Sequence, residues 1–438
     1  MLRFLAVLFT GVIVSFYYFP FEFSFLPGLN TKMGLAVIGI FLAVLTLIRK
    51  REMKSPPNLV RIEALAVLVS VVGFVAVIAN NTPDYAYATY FVSMTVWLSG
   101  AYAVCSLIKA VHKELTVDKV TIYITCVCVA QCILALIIDS NLFVKTIVDT
   151  YIMQDQSFLN EVERLYGIGA SLDTAGVRFS ACLLLLTSLI NRNKHQMTNR
   201  VLLISVIAFV LISVIGNMIA RTTIVGVLLS LIYALCAFRL TRVSYGFLYL
   251  VRVILLVLLV TIPLSVHLYN NNPQFHQLSR FAFEGFFSLV ETGEWEIDSN
   301  EKLKAMMVFP DNVKTWIIGD GYFANPYNTD PTYVGYQPGG YYMGTDIGYC
   351  RFIFYFGLIG LFVFSCFLIL VAKECIALLP DYTMVILFIL LLGFIIWLKV
   401  ATDVFLVFAL LLCIGNLQDA PENSKLNYEN SLYYSSNI

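Results

Sequence analysis

The sequence predicts an all-α polytopic membrane protein: about 12 transmembrane helices, with a large non-cytoplasmic loop between helices 9 and 10. Three observations predict this. Of 438 residues, 59% are apolar and only 13% charged, against about 45–50% and about 25% in soluble domains. Mean hydropathy is +0.82. The apolar residues also gather in runs bounded by charges or turn residues, enough for roughly 13 spans of about 20 residues. Basic and acidic residues balance at 28 each, so net charge points to no nucleic-acid partner, and the information lies in where the charges sit.

Taken in order, runs near 4–20, 33–48, 62–79, 87–108 and 120–139 give helices 1–5 of an N-terminal unit, 1–139. A first long loop follows over 140–175. Runs near 176–190, 201–219, 222–238 and 247–267 give helices 6–9 of a second unit, 176–267. The large loop covers 268–345, with a short amphipathic helix expected over Asp298 to Pro310 and a punctuated loop over Asn325 to Gly340. Runs near 347–372, 383–398 and 402–416 give helices 10–12 within 346–417, and 418–438 is a polar tail. No internal repeat of the transporter kind is present.

Lys and Arg in short loops favour the cytoplasmic side. Alternate connections carry Arg3; Arg49, Lys50, Arg51, Lys54 and Arg61; Lys109, Lys113 and Lys119; Arg192, Lys194 and Arg200; Arg239 and Arg242; Lys373; and Lys425. The opposite short connections hold little more than Lys32. Both termini are therefore expected in the cytoplasm, and the first run, which lacks a small-residue processing site behind it, as a retained helix. All 10 cysteines lie in or beside predicted spans, where they read as core residues. The Cys126–Cys132 group has no His beside it to suggest a metal cluster.

The outer side and its span ends are left with Arg164, Arg178, Arg221, Arg280 and Arg351, with Lys145, Lys302, Lys304 and Lys314. A guanidinium is planar and permanently charged, so several together make a fork-shaped site for phosphate or pyrophosphate. Arg221 stands out because it occupies a turn of a few residues between two apolar runs, where an unpaired cation is costly. Taken singly, each arginine also fits snorkelling to headgroups or pairing with one of the many outer acids. Asp346 opens an apolar run and reads either as a plain helix cap or as a functional carboxylate. The Trp- and Tyr-rich large loop suits glycan contact and interfacial anchoring equally. The sequence holds no Asp-x-Asp, no P-loop, no G-x-S-x-G and no H-E-x-x-H, and the four His are scattered.

Five segments together resemble the Wzy-type O-antigen polymerases. They are Arg164-Leu165-Tyr166-Gly167-Ile168-Gly169; Gly176-Val177-Arg178; Ala220-Arg221-Thr222-Thr223; Ile318-Gly319-Asp320-Gly321-Tyr322; and Thr345-Asp346-Ile347-Gly348-Tyr349-Cys350-Arg351 with Gly357 and Gly360. The resemblance covers roughly residues 160–365. It implies an inverting, metal-independent glycosyltransferase, without cofactor, in the bacterial inner membrane. The long loops would be periplasmic, and the enzyme would join undecaprenyl-pyrophosphate-linked oligosaccharide repeat units on that face. Implied partners are the lipid-linked donor and acceptor, membrane lipid and a chain-length regulator protein. The implied pyrophosphate ligands are Arg164, Arg178, Arg221, Arg280 and Arg351. Related ligases tend to carry a His where this chain has Asp346, which favours polymerase.

The chemistry itself requires a stabiliser for the leaving pyrophosphate and a base for the acceptor hydroxyl. Asp346 is the first choice for base, with Glu284 and Asp173 in reserve. Five residues of separation puts Asp346 and Arg351 on different faces of a regular helix, so the spacing alone does not require them to meet. The rivals are an O-antigen ligase and a lipid-linked oligosaccharide flippase. For the flippase, Arg252, Lys399 and Asp403 are the residues that hint at charge deep in the membrane.

Overall fold

The structure, a computed structural model, describes residues 2–50, 57–154, 159, 164–193, 198–237, 259, 262–326 and 340–417. The protein is mostly helical, and its helices follow the apolar runs. They are α1 (Leu2–Tyr18), α2 (Thr31–Lys50), α3 (Pro57–Asn80), α4 (Tyr90–His112), α5 (Val117–Ser140), α6 (Leu142–Tyr151), α7 (Leu172–Asn193), α8 (Asn199–Ile219) and α9 (Thr223–Ala237). After them come α10 (Pro273–Ala282), α11 (Glu284–Thr292), α12 (Asp298–Ala305), α13 (Val313–Ile318), α14 (Gly348–Leu378), α15 (Thr383–Ile396) and α16 (Phe405–Leu417). Among the described residues seven helices (α2–α5, α7, α8 and α14) are long and apolar enough to cross a membrane, and α1, α9, α15 and α16 are shorter apolar helices. The expected run 247–267, Arg252 and the tail 418–438 fall largely or wholly outside the described residues.

Side chains set many of the boundaries. Thr116 caps α5 by accepting from the Lys119 amide, and Thr198 caps α8 through the Val201 amide. Asn141 accepts from the Phe143 and Val144 amides, which starts α6 one residue after α5 ends. This corrects the expectation of a plain loop over 140–175. That stretch holds α6 and a two-residue strand, Ile152–Met153, paired antiparallel with Glu22–Phe23, and α7 begins at Leu172 instead of 176. Asp173 in the first turn of α7 suits the positive end of the helix dipole. The stretch 268–345 is likewise not a simple loop. Asn272 caps α10 with Pro273 at its first position, Asn312 caps α13, and α11 stops at Gly293 in the left-handed conformation. The amphipathic helix expected over Asp298 to Pro310 ends at Ala305. Most of the punctuated loop, 327–339, is outside the described residues.

The two ends of the bundle differ. At one end Arg192 pairs with Asp381 and Lys119 with Glu114. Arg3 and Lys119 act electrostatically on His112 there. The other end carries Arg221 and the short helices. One core joins both, with Tyr87, Phe352, Phe356, Phe364 and Trp397 meeting mostly edge to face at 4.8 to 6.5 Å between ring centres.

Glycines decide two close approaches. At Gly357, α14 is interrupted with φ +69 and ψ −173, a conformation open essentially to glycine. A Cβ there would collide with the carbonyl of Ile317. The interruption exposes the Phe354 and Tyr355 carbonyls, which accept from the Asp320 amide at 2.6 Å and the Gly321 amide at 3.0 Å. The Ile318-Gly319-Asp320-Gly321 segment therefore satisfies the broken helix. Similarly, Gly176 in α7 lies so close to the Thr222 hydroxyl that no Cβ fits, and Gly226 lies equally close to Ser180. The turn bearing Arg221 is thus locked on the start of α7.

Candidate functional site: an arginine and carboxylate constellation at one end of the bundle

Arg221 sits at the turn between α8 and α9. The turn is held by the Thr223 hydroxyl donating to the Gly216 carbonyl at 3.0 Å and by the Thr222 carbonyl accepting from the Ser180 hydroxyl at 3.1 Å. The Asn217 amide donates to the Ala282 carbonyl at 2.6 Å, which pins the end of α10 over this turn. Consequently Phe281 lies under Arg221, whose guanidinium carbon is 3.9 Å from the ring centre. The guanidinium of Arg164 approaches the same ring at 4.8 Å. Two cations on one aromatic ring are sustained by the ring's negative face. Arg221 Nη1 also meets Glu284 Oε2 at 2.7 Å, with both side chains largely covered, at 17% and 24% exposure.

Arg164 reaches the second half of the site through charge. Burial pulls its guanidinium below the ordinary arginine value, and the nearby Asp173 carboxylate opposes this. Asp173 Oδ1 accepts from Lys399 Nζ at 2.8 Å. Lys399 follows α15 and Asp173 opens α7, so their partnership depends wholly on packing.

Asp346 lies within the fields of Asp173, Lys399 and Arg351. Its carboxyl is pushed up to about 6, chiefly by burial and then by Asp173, against the pull of Arg351, Lys399 and a bond from Tyr341. One of its oxygens, Oδ1, is buried with no hydrogen-bond partner. Helix α14 starts at Gly348 with Ile347 at the cap position and no side-chain cap, so the helix-cap reading of Asp346 is corrected. Because Asp346 precedes the helix, it does act on Arg351, which the five-residue spacing did not require. Arg351 stacks on Phe323 at 3.6 Å and Tyr341 at 4.4 Å, and donates from Nη2 to the Phe323 carbonyl at 2.9 Å. Its Nε is buried and unbonded.

Of the five arginines expected to gather, Arg164 and Arg221 share a ring, and Arg351 joins them through the Asp346, Asp173 and Lys399 charges. Arg178 faces a different neighbourhood: it lies 5.8 Å from the Phe19 ring and within the fields of Asp403 and Lys32. Arg280 turns outward into a two-pronged pair with Glu291, both bonds 2.7 Å. That pair raises the arginine above its ordinary value and lowers the glutamate. Glu284, a reserve choice for the base and only four residues after Arg280 in sequence, pairs with Arg221.

Lys399 lies beyond α15 on Asp173, and Asp403 Oδ1 accepts from the Phe405 amide at 2.8 Å at the start of α16. The sequence reading missed Lys399 and Phe281 as site members. Lys399 carried a signal, being a charge between two apolar runs. Phe281 carried none among 33 phenylalanines.

Comparisons with protein-family models, curated proteins and solved structures found no match.

Proposed function

We propose that this chain is a surface-polysaccharide polymerase of the Wzy type. In this reading it spans a bacterial inner membrane about 12 times, with both termini in the cytoplasm and the large loop, between helices 9 and 10, in the periplasm. It is an inverting, metal-independent glycosyltransferase that joins undecaprenyl-pyrophosphate-linked oligosaccharide repeat units. The observation that carries the reading is the placement of Arg164 and Arg221 on one ring, within one charge network with Asp173, Lys399, Asp346 and Arg351.

Arg164 and Arg221 hold the donor pyrophosphate and stabilise the charge that develops on it as the bond from the anomeric carbon to phosphate oxygen breaks. The acceptor hydroxyl attacks that carbon from the opposite side, and a single displacement inverts its configuration. The hydroxyl proton passes to Asp346, which is largely ionised at neutral pH yet close enough to its titration midpoint to accept one. Asp173 and Lys399 position and tune Asp346, and Arg351 holds it in place. Glu284 orients Arg221. Arg178 supports the entry to α7, and Arg280 stays at the surface. A chain-length regulator would meet the protein in the membrane.

The test is deletion of the gene followed by gel separation of the surface glycan. Loss of the ladder with accumulation of one repeat unit supports the polymerase. Unattached long polymer on its lipid carrier indicates a ligase instead, and loss of all outer repeat units indicates a flippase.

A further inference from the structure

A cavity of about 470 Å³ opens at the Arg221 end, between the end of α5, α6, the segment 164–166 and α10. This volume falls in the range of small-ligand sites, about 300–1,000 Å³. Its wall on α10 is formed by Gln274, Gln277 and Leu278. Spacings of three and four place these residues on the same helical stripe as Phe281. One face of α10 therefore presents both the cavity wall and the ring that carries two guanidiniums.

Arg164 belongs to both places. It lines the cavity, stacks on Phe281, and keeps a buried, unbonded Nε. Two amides, the Asp139 carboxylate and the Tyr166 ring beside the apolar surfaces of Ile138 and Leu278 offer alternating polar and apolar contacts. Such a lining suits a ring with hydroxyls at its edge and C–H groups on its faces. Alongside, α6 exposes Leu142 at 79% and Phe143 at 73%, as an interfacial helix does. The cavity is thus within reach of a ligand anchored in the bilayer.

We propose that this cavity holds the sugar ring joined directly to the pyrophosphate of a lipid-linked substrate, with Arg164 spanning ring and phosphate. The inference rests on the reading of Arg164 and Arg221 as the pyrophosphate grip, and it assigns the first sugar its own subsite on α10.

The test uses the full chain in nanodiscs and equilibrium binding of three probes: polyprenyl pyrophosphate carrying one hexose, the same lipid without sugar, and water-soluble hexose 1-phosphate. The sugar-bearing lipid is expected to bind about tenfold or more tighter than the sugar-free lipid. The soluble sugar phosphate is expected to bind weakest. Gln274→Leu/Gln277→Leu, of nearly unchanged size, should bring the two lipids to parity while leaving the sugar-free lipid's affinity as it was. Equal binding of the two lipids to the wild-type protein overturns the subsite, whatever the variant does. A preserved preference in a folded variant also overturns it, and soluble hexose 1-phosphate binding as tightly as the lipid overturns the membrane-tethered source. The polymerase reading fails separately: a glycan ladder unaltered by gene deletion removes it and leaves the binding preference standing.

Discussion

Asp346 as general base sets a pH dependence whose size follows from its surroundings. With its carboxyl pushed up to about 6, the fraction ionised is about 90% at pH 7 and about 10% at pH 5. Turnover should therefore fall roughly tenfold over that interval. Asp346→Asn removes the proton acceptor and should lower turnover by about 10²–10⁴-fold, abolishing the acid limb while binding of the lipid-linked unit persists. The neighbours give the effect a direction. Asp173→Asn deletes a negative field and frees Lys399, and both changes move the limb to lower pH; Lys399→Met moves it higher.

Stability should change in the opposite sense to activity. A carboxyl titrating near 6 when folded and near 3.8 when unfolded costs stability as pH rises from about 3.8 to about 6, and that cost persists above 6. Asp346→Asn should then raise the melting temperature at pH 8 and leave it nearly unchanged at pH 3.5. The assay is single-turnover transfer between purified lipid-linked units, run across pH 5–8 beside thermal unfolding of the same preparations. Turnover that is flat between pH 5 and 7, or an Asn variant as fast as wild type, refutes Asp346 as the base.

Four other outcomes follow from the geometry. Arg221→Lys keeps the charge but loses the two-pronged contact with phosphate, and turnover should drop by about 10²–10³-fold in a protein that inserts normally, read as loss of the glycan ladder. Phe281→Leu withdraws the ring from Arg164 and Arg221, each contact worth about 0.5–2 kcal/mol, so affinity for the lipid-linked unit should fall about tenfold or more by equilibrium binding, with Phe281→Trp close to wild type. Arg280→Gln breaks an exposed pair with Glu291 and a surface contact with the Phe287 ring and should leave both turnover and melting temperature close to wild type. Gly357→Ala forces a side chain into a left-handed position against Ile317 and should cost about 1–3 kcal/mol, seen as a lowered melting temperature.

The membrane character and the helix positions were legible because they follow from local composition: a run of about 20 apolar residues must be helical in lipid, where backbone groups find no other partners. The candidate residues Arg164, Arg221, Arg351 and Asp346 were legible for a related reason, since charge at the end of an apolar run is costly enough to need a purpose. Of the described helices inside 140–175 and 268–345, only the one opening at Asp298 was legible. Segments such as Leu142–Tyr151 are too short to stand out as spans, and they are fixed by single caps such as Asn141 and by the surfaces they rest on.

Sequence alone therefore determined the membrane character of the chain, where its long apolar helices lie, and which charges beside them to question. Tertiary structure decided who meets whom. Asp173 and Lys399 are 226 residues apart, Arg164 and Phe281 come from the two separate long connections, and Glu284 answers to Arg221 instead of its neighbour Arg280. Those partnerships depend on how closely the helices approach, and the approach is set by fits such as Gly176 against Thr222 and Gly357 against Ile317. Periodicity reports which face of a helix is apolar; only packing fixes which helix that face meets and at what height.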